Sequence, residues 1–324
     1  MTLKSQYNQI KIKYRIIKDT YWFLIKNLKH NASIKTDESL YKMQYTILRE
    51  NHIIEKGMSM KNPKDGFGIE KVINLLNRLN KYYITYYNEH DDFLEYPLST
   101  IEEYIEYTHK NSNQDISIIE NLFKSLKSQI KPYSPIKAGI KNVTRTEIEC
   151  AAQMDFASLL YSRHSIRYFT SEPTKEELEK ALRLASRTPS ACNRQGWKTY
   201  IFNKNKCQEI LHWQGGARGF EKDIPCCIII TASLNAFLEY EIFQAYIDGG
   251  MYAQNLINSL HFVGVGSIPL SCGFHANKLK QLTQWGIPEY EIPIIIIGCG
   301  KPSEQFKVAI STRKDISKTN KFIE

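Results

Sequence analysis

The chain has 324 residues, 42% of them apolar and 24% charged. That length suits two domains of roughly 100–200 residues, and the composition excludes global disorder. The net charge is +9, with the basic surplus spread over both halves and no zinc finger or aromatic-basic motif beside it, so nucleic-acid binding is not expected. Seven cysteines fall at irregular spacings without a CxxC pair, and HExxH is absent. A disulfide framework and a metal site are therefore not expected, and the thiols read as free. No apolar run reaches the roughly 18–20 residues that cross a bilayer. The N-terminus, MTLKSQYNQIKIKYR, holds no apolar stretch followed by a small-residue cleavage site. A cytoplasmic protein is the expectation.

In chain order, the first half reads as helical. Residues 12–30 place Ile12, Ile16, Trp22, Phe23 and Ile25 on a broad apolar stripe with lysines outside it. Eight basic residues lie within the first 35, opposed by Asp19 alone. Such a helix suits packing on its own domain, and it equally suits weak contact with a membrane surface. A second helix spans 39–57, with Gly57 in the C-terminal capping position. After the loop MSMKNPKDGFG, helical patterns follow at 69–87, 99–109 and 116–130. KPYSPIKAG then reads as a linker, dividing a mainly helical domain, 1–138, from a second domain, 139–324.

The second domain is α+β. Thr174 with Glu177 three residues on forms a capping box that opens a helix. KTYIFN, CCIIITAS and IPIIIIGCGKP are β-branched runs bounded by Gly, Pro and polar residues, hence strands. A long helix near 241–264 contains Gly249-Gly250, and interior glycines cost about 1 kcal/mol each. A close approach by another helix or a ligand is expected to offset that cost.

Four stretches carry chemistry. In Arg163-His164-Ser165-Ile166-Arg167, two permanently charged guanidinium groups flank a hydroxyl, a donor set that matches a phosphate or an electron-rich heterocycle edge. In Pro189-Ser190-Ala191-Cys192-Asn193-Arg194-Gln195-Gly196, two amides offer donors and acceptors together, and ordinary turn capping accounts for them equally well. Gly264-Val265-Gly266-Ser267-Ile268-Pro269-Leu270-Ser271 lacks the glycine spacing of a dinucleotide fingerprint and follows a helix rather than a strand. Arg313-Lys314 forms a late basic pair. In the first half, His52 shares a helix face with Glu55 and with Lys56, next to a glycine-containing loop.

Taken in order, RHSIR, PSACNRQGW, DGGMYAQNL, VGVGSIPLS, GIPEYEIPIIIIGCGKP and the terminal Arg resemble the FMN-dependent nitroreductase family from about residue 154 to 315. The resemblance implies a nitroreductase-like mixed sheet flanked by helices, behind the mainly helical N-terminal domain. It implies a homodimer that binds two FMN molecules at its interface. It assigns Arg163 and Ser165 to the FMN phosphate, with His164 as a neighbour and Arg167 near the pyrimidine edge of the ring. Ser190, Asn193 and Gln195 match the loop that reaches flavin from the other subunit. Pro269, Leu270 and Ser271 match the segment along the ring face, and Arg313, assisted by Lys314, matches the late phosphate contact. Gly196 stands where the family usually has Pro, which loosens that loop.

The implied activity is ping-pong hydride transfer from NADH or NADPH through flavin N5 to a small oxidised substrate, with no side-chain nucleophile. Two alternatives stand beside it. One is a flavin-dependent dehydrogenase or oxidase of a biosynthetic intermediate, since the N-terminal extension resembles those of nitroreductase-like proteins associated with surface-polysaccharide synthesis. The other is a flavin-binding accessory protein docked at a membrane surface. His52, Glu55 and Lys56 are the substrate-site candidates if the helical domain closes over the flavin.

Overall fold

The structure, a computed structural model, describes residues 3–30, 40–88, 92–130, 133–238 and 240–323. Its contacts divide the chain into two compact units, Ala32–Asn142 with Lys307–Glu324, and Met1–Asn31 with Val143–Phe306. The first helix, α1 (Leu3–His30), belongs to the second of these. None of the described helices is long and apolar enough to cross a membrane.

The first unit is built on α2 (Leu40–Met58), α3 (Ile69–Tyr86), α4 (Glu95–Asn111) and α5 (Ser117–Gln129). Each presents apolar residues three and four apart, and these meet in one core of Ile47, Ile54, Leu75, Leu79, Leu98, Ile101 and Ile119. Gly57 is not the helix terminus that the sequence indicated, because α2 continues through Met58. The glycine is required by packing, since a Cβ there would meet the Phe67 ring at 2.2 Å. Phe67 in turn stands edge-on to Tyr104 and Tyr107.

The boundary between the units falls within β1 (Ile140–Thr144) and β7 (Gln305–Ala309), which pair as a two-stranded sheet. Between them run α6 (Arg145–Ala152), α7 (Phe156–Ser162), β2 (Phe169–Ser171), α8 (Lys175–Ala185), β3 (Trp197–Asn203) and α9 (Lys204–Gln214). They are followed by β4 (Cys226–Ser233), α10 (Gln244–Phe262), β5 (Gly266–Ser271) and β6 (Glu291–Pro302). The expected capping box is present at Thr174, which accepts from the Glu177 N–H and opens α8.

The main sheet runs β3-β4-β6, and β6 also pairs with β5 and, toward its end, with β2. All these pairings are antiparallel. β4 lies in the interior, with Ile228, Ile229 and Ile230 fully buried, which is why its sequence is continuously apolar rather than alternating. On one face Cys226, Ile228 and Ile230 pack with Leu178 and Ala181 of α8 and with Leu256 and Leu260 of α10.

The two glycines of α10 have different reasons to be there. A Cβ at Gly249 would come within 2.6 Å of Ile294, so the helix lies against β6 at glycine distance. At Gly250 an added Cβ meets nothing within 4 Å. Gly249→Ala is expected to destabilise the protein by about 1–3 kcal/mol through overpacking, although alanine is the better helix former by about 1 kcal/mol. Gly250→Ala is expected to leave the fold at least as stable. Urea unfolding of both variants checks the contrast.

Candidate functional site

Arg163 to Arg167 lie in the stretch between α7 and β2, and two observations show how they are fixed. Ser165 forms a parallel bridge with Ser267 of β5, and the Ile166 N–H donates to the Ser267 carbonyl at 3.0 Å. Buried Ile166 anchors the stretch from below. The arginine-serine cluster and the Pro269-Leu270-Ser271 segment, about a hundred residues apart in sequence, are thereby neighbours. The sequence did not mark 266–271 as a strand. Six residues that include a proline give little periodicity, and the strand exists because β6 offers it an edge.

Along that edge, Pro269 is half-buried, Leu270 buried and Ser271 exposed. Gln214 donates from Nε2 to the Ser271 carbonyl at 3.0 Å and fixes the strand's end. Gly273, just beyond, has open space where a Cβ would stand.

Arg163, His164 and Ser165 are half-buried, whereas Arg167 is buried. The Arg167 guanidinium donates to the Ser165 carbonyl at 3.4 Å and lies 5.8 Å from the centre of the Phe220 ring. Behind the cluster, buried His261 meets the Ser162 hydroxyl at 2.8 Å. Burial, and next the positive charge of Arg163, push the imidazole down to about 4 from 6.5. The unfolded chain therefore takes up a proton below pH 6.5 that the folded chain refuses until about pH 4. Stability is fully present above pH 6.5 and falls as the pH drops through that window. The expected loss is about 2 kcal/mol between pH 7 and pH 5, measured by urea unfolding, and His261→Gln is expected to remove that part of the slope.

The amide-bearing loop is a strained but well-held structure. Cys192, Asn193 and Gln195 all have positive φ, at 50°, 53° and 49°, which L-residues adopt at a cost. Several contacts hold the chain there. The Ala191 N–H donates to buried Asp248 at 3.1 Å. Arg194 grips Glu241 with two hydrogen bonds of 2.7 and 2.5 Å. That grip, helped by the Leu238 N–H, holds the Glu241 carboxyl down at about 2. The Gln195 N–H donates to the Ser190 hydroxyl at 3.0 Å, and the Gly196 carbonyl accepts from Ser233. The side chains of Asn193 and Gln195 are left exposed, linked to each other at 3.2 Å. Asp248 and Glu241 are supports of this loop that the sequence alone did not reveal, and the DGG run was the available signal for Asp248.

A second missed group closes the far end of the sheet. Glu291, fully desolvated, accepts from the Tyr200 hydroxyl at 2.9 Å and the Thr231 hydroxyl at 2.6 Å, with Lys198 Nζ at 3.1 Å. Burial, and next Glu291, push the Tyr200 phenol up to about 12.

Arg313 and Lys314 follow β7 in the helical unit. Arg313 donates to the Ser311 carbonyl at 2.6 Å, and Lys314 Nζ stands 4.8 Å from the centre of the Tyr45 ring. In the same unit His52 is exposed and Lys56 half-buried, while Glu55 is buried and accepts from the Tyr96 hydroxyl at 2.9 Å. His52 Nδ1 is 3.7 Å from that carboxylate. Burial and the Glu55 charge push the Tyr96 phenol above its ordinary range. The sequence could not foresee the partner, which stands 41 residues further on. Among the described residues, no group of three or more His, Cys, Asp or Glu could hold a metal ion.

An antiparallel sheet with helices on it carries an arginine-serine cluster clamped to an edge strand and a strained amide loop, all within one α+β domain. Residues 160–216, which contain both the cluster and the loop, match the model of the Nitroreductase family. A curated protein of Archaeoglobus fulgidus that carries the name NADH dehydrogenase/NAD(P)H nitroreductase is 24% identical over 151 residues, covering 45% of this chain and 85% of that one. Among solved structures, an FMN-dependent nitroreductase of Clostridium difficile is 24% identical, covering 45% of this chain and 87% of its own, with a TM-score of 0.40. A nitroreductase-like protein of Streptococcus mutans is 19% identical, covering 52% and 98%, with a TM-score of 0.44. The C-terminal part of the chain is nitroreductase-like.

Proposed function

We propose that the protein is an FMN-dependent oxidoreductase that takes electrons from NADH or NADPH and passes them to a small oxidised substrate at the same place. The observation that carries this reading is the pairing of Ser165 with Ser267. It sets the arginine-serine cluster beside the Pro269–Ser271 edge, the neighbourhood that a phosphate joined to a flat ring requires. The donor set fits FMN. Arg163 and Ser165 offer charged and hydroxyl donors for the phosphate. Arg167, its guanidinium already desolvated, would meet negative charge on the ring at low local dielectric. When bound, FMN supplies two-electron transfer at its ring.

The chain's own residues do the rest. The edge at Pro269–Ser271 gives the ring a rigid wall, and a Cβ at Gly273, just beyond it, would meet only open space. Asn193 and Gln195, held outward by a strained backbone, are preorganised donors and acceptors. We assign them to the flavin of a second copy, so the active form is a homodimer. The exposed face of α10 supports this. Phe243, Tyr246, Ile247 and Met251 lie at 40–52% exposure, spaced as one helical stripe. Gly250 sits in that stripe with open space around it, and a glycine there is explained when a second helix approaches closely.

The test is steady-state oxidation of NADH and of NADPH by the flavin-loaded protein, with a quinone or a nitroaromatic as acceptor. Sustained consumption of one nicotinamide with a parallel-line ping-pong pattern is expected. A flavin-loaded protein that oxidises neither overturns the reading.

A further inference from the structure

Helix α1 carries an apolar seam that its own chain leaves uncovered. Tyr7, Ile10, Tyr14, Ile17, Tyr21 and Leu24 follow one another at steps of three and four, and all six are 50–67% exposed. On the reverse side Ile12 is half-buried and Ile16 is 38% exposed. The helix therefore has two apolar faces, and the outward one has the regular heptad spacing.

That spacing is the one a second helix reads. A straight helix on a flat surface keeps a 3.6-residue period, and its apolar stripe then holds a constant direction. Alternating steps of three and four give a period of 3.5, which drifts by about 20° per heptad on a straight helix and is kept in register along its whole length by a helix wound around it. With the tyrosines at the first position of each heptad and the aliphatic residues at the fourth, Lys11 and Lys18 flank one side of the seam and Lys13 the other.

Those lysines argue against a second copy of the chain. In a parallel self-pair, Lys13 of one copy meets Lys18 of the other, and in an antiparallel pair the edge carrying Lys11 and Lys18 meets itself. In the parallel pair the tyrosines add to this, since ring would face ring across a core that holds a large and a small residue more readily.

We propose that α1 is a docking helix for a partner protein, which supplies a coiled-coil helix with small or aliphatic core residues and glutamate or aspartate at the flanking positions. The inference rests on α1 alone and is independent of the flavin chemistry.

The experiment uses the full-length chain and two synthetic 28-residue peptides. Both have alanine facing the tyrosines and leucine facing the aliphatic residues, but one has glutamate and the other lysine at the flanks. The glutamate peptide is expected to bind at least tenfold more tightly. The variant with Lys11→Glu, Lys13→Glu and Lys18→Glu is expected to reverse the order. Ile10→Asp with Ile17→Asp is expected to abolish binding of both peptides and leave the mass in solution unchanged, with circular dichroism confirming the fold. The proposal is overturned if neither peptide binds, if the two bind alike, or if the charge variant keeps the original order. It is also overturned if the aspartate variant lowers the chain's own mass, which shows self-pairing. Flotation with phosphatidylglycerol vesicles that the same variant abolishes would assign the seam to a membrane instead.

Discussion

Arg163→Ala is expected to purify without flavin and to bind added FMN about a hundredfold more weakly. A guanidinium bonded to a phosphate and partly shielded from water contributes about 2–3 kcal/mol. Arg163 is half-buried, next to a stretch that the Ser165–Ser267 bridge and the buried Ile166 side chain make rigid. Riboflavin lacks the phosphate, so the variant's affinity for riboflavin is expected to match the wild type. Fluorescence titration with both ligands separates the possibilities. A parallel loss of FMN and riboflavin would place Arg163 elsewhere on the cofactor, and unchanged FMN binding would remove it from the site. One side effect is expected as well. Loss of the positive charge relaxes part of the pressure on His261 and moves its titration upward, although burial remains the larger cause.

Gly250→Leu is expected to give a folded monomer that retains little FMN. In a single chain the leucine side chain enters open space, and leucine is a better helix former than glycine by nearly 1 kcal/mol. Thermal stability of the monomeric unit is therefore maintained. In the proposed homodimer the same side chain lies in the stripe formed by Phe243, Tyr246, Ile247 and Met251 and holds the two α10 helices apart. Sedimentation velocity reads the mass, and the flavin absorbance reads cofactor retention. A variant that stays dimeric and yellow would move the interface away from α10. Gly249 offers the internal comparison, because its substitution damages the fold through Ile294 irrespective of any partner.

How far the sequence reveals this protein depends on how local each feature is. The capping box at Thr174 and the strands β4 and β6 were legible, because a hydroxyl three residues before a carboxylate and an unbroken β-branched run act within a few residues. β5 was not legible as a strand, and only the resemblance to a family segment singled out Pro269, Leu270 and Ser271. Nothing in GSIPLS marks a strand until β6 lies beside it. The supports of the amide loop were hidden for the same reason, since Asp248 and Glu241 are 57 and 47 residues from the groups they hold.

Helix α1 illustrates a different difficulty. Ile12, Ile16 and Ile25 belong to the expected stripe, and Ile16 and Ile25 prove exposed. The side chains of Trp22 and Phe23 lie outside the described residues. The helix has apolar residues on two faces, so composition alone does not say which is inward. Glu55 shows the reverse case. As a charged residue near a helix end it reads as surface, yet the Tyr96 hydroxyl allows the carboxylate to be buried in the helical core.

Whether this chain holds FMN decides the proposed function most directly. The deciding measurement is the absorption spectrum of the purified full-length protein, followed by mass spectrometry of any chromophore released on denaturation and titration of the stripped protein with FMN. A yellow protein releasing FMN, and refilling to one molecule per chain, is the expected result. A colourless protein that takes up no FMN on titration would contradict the account.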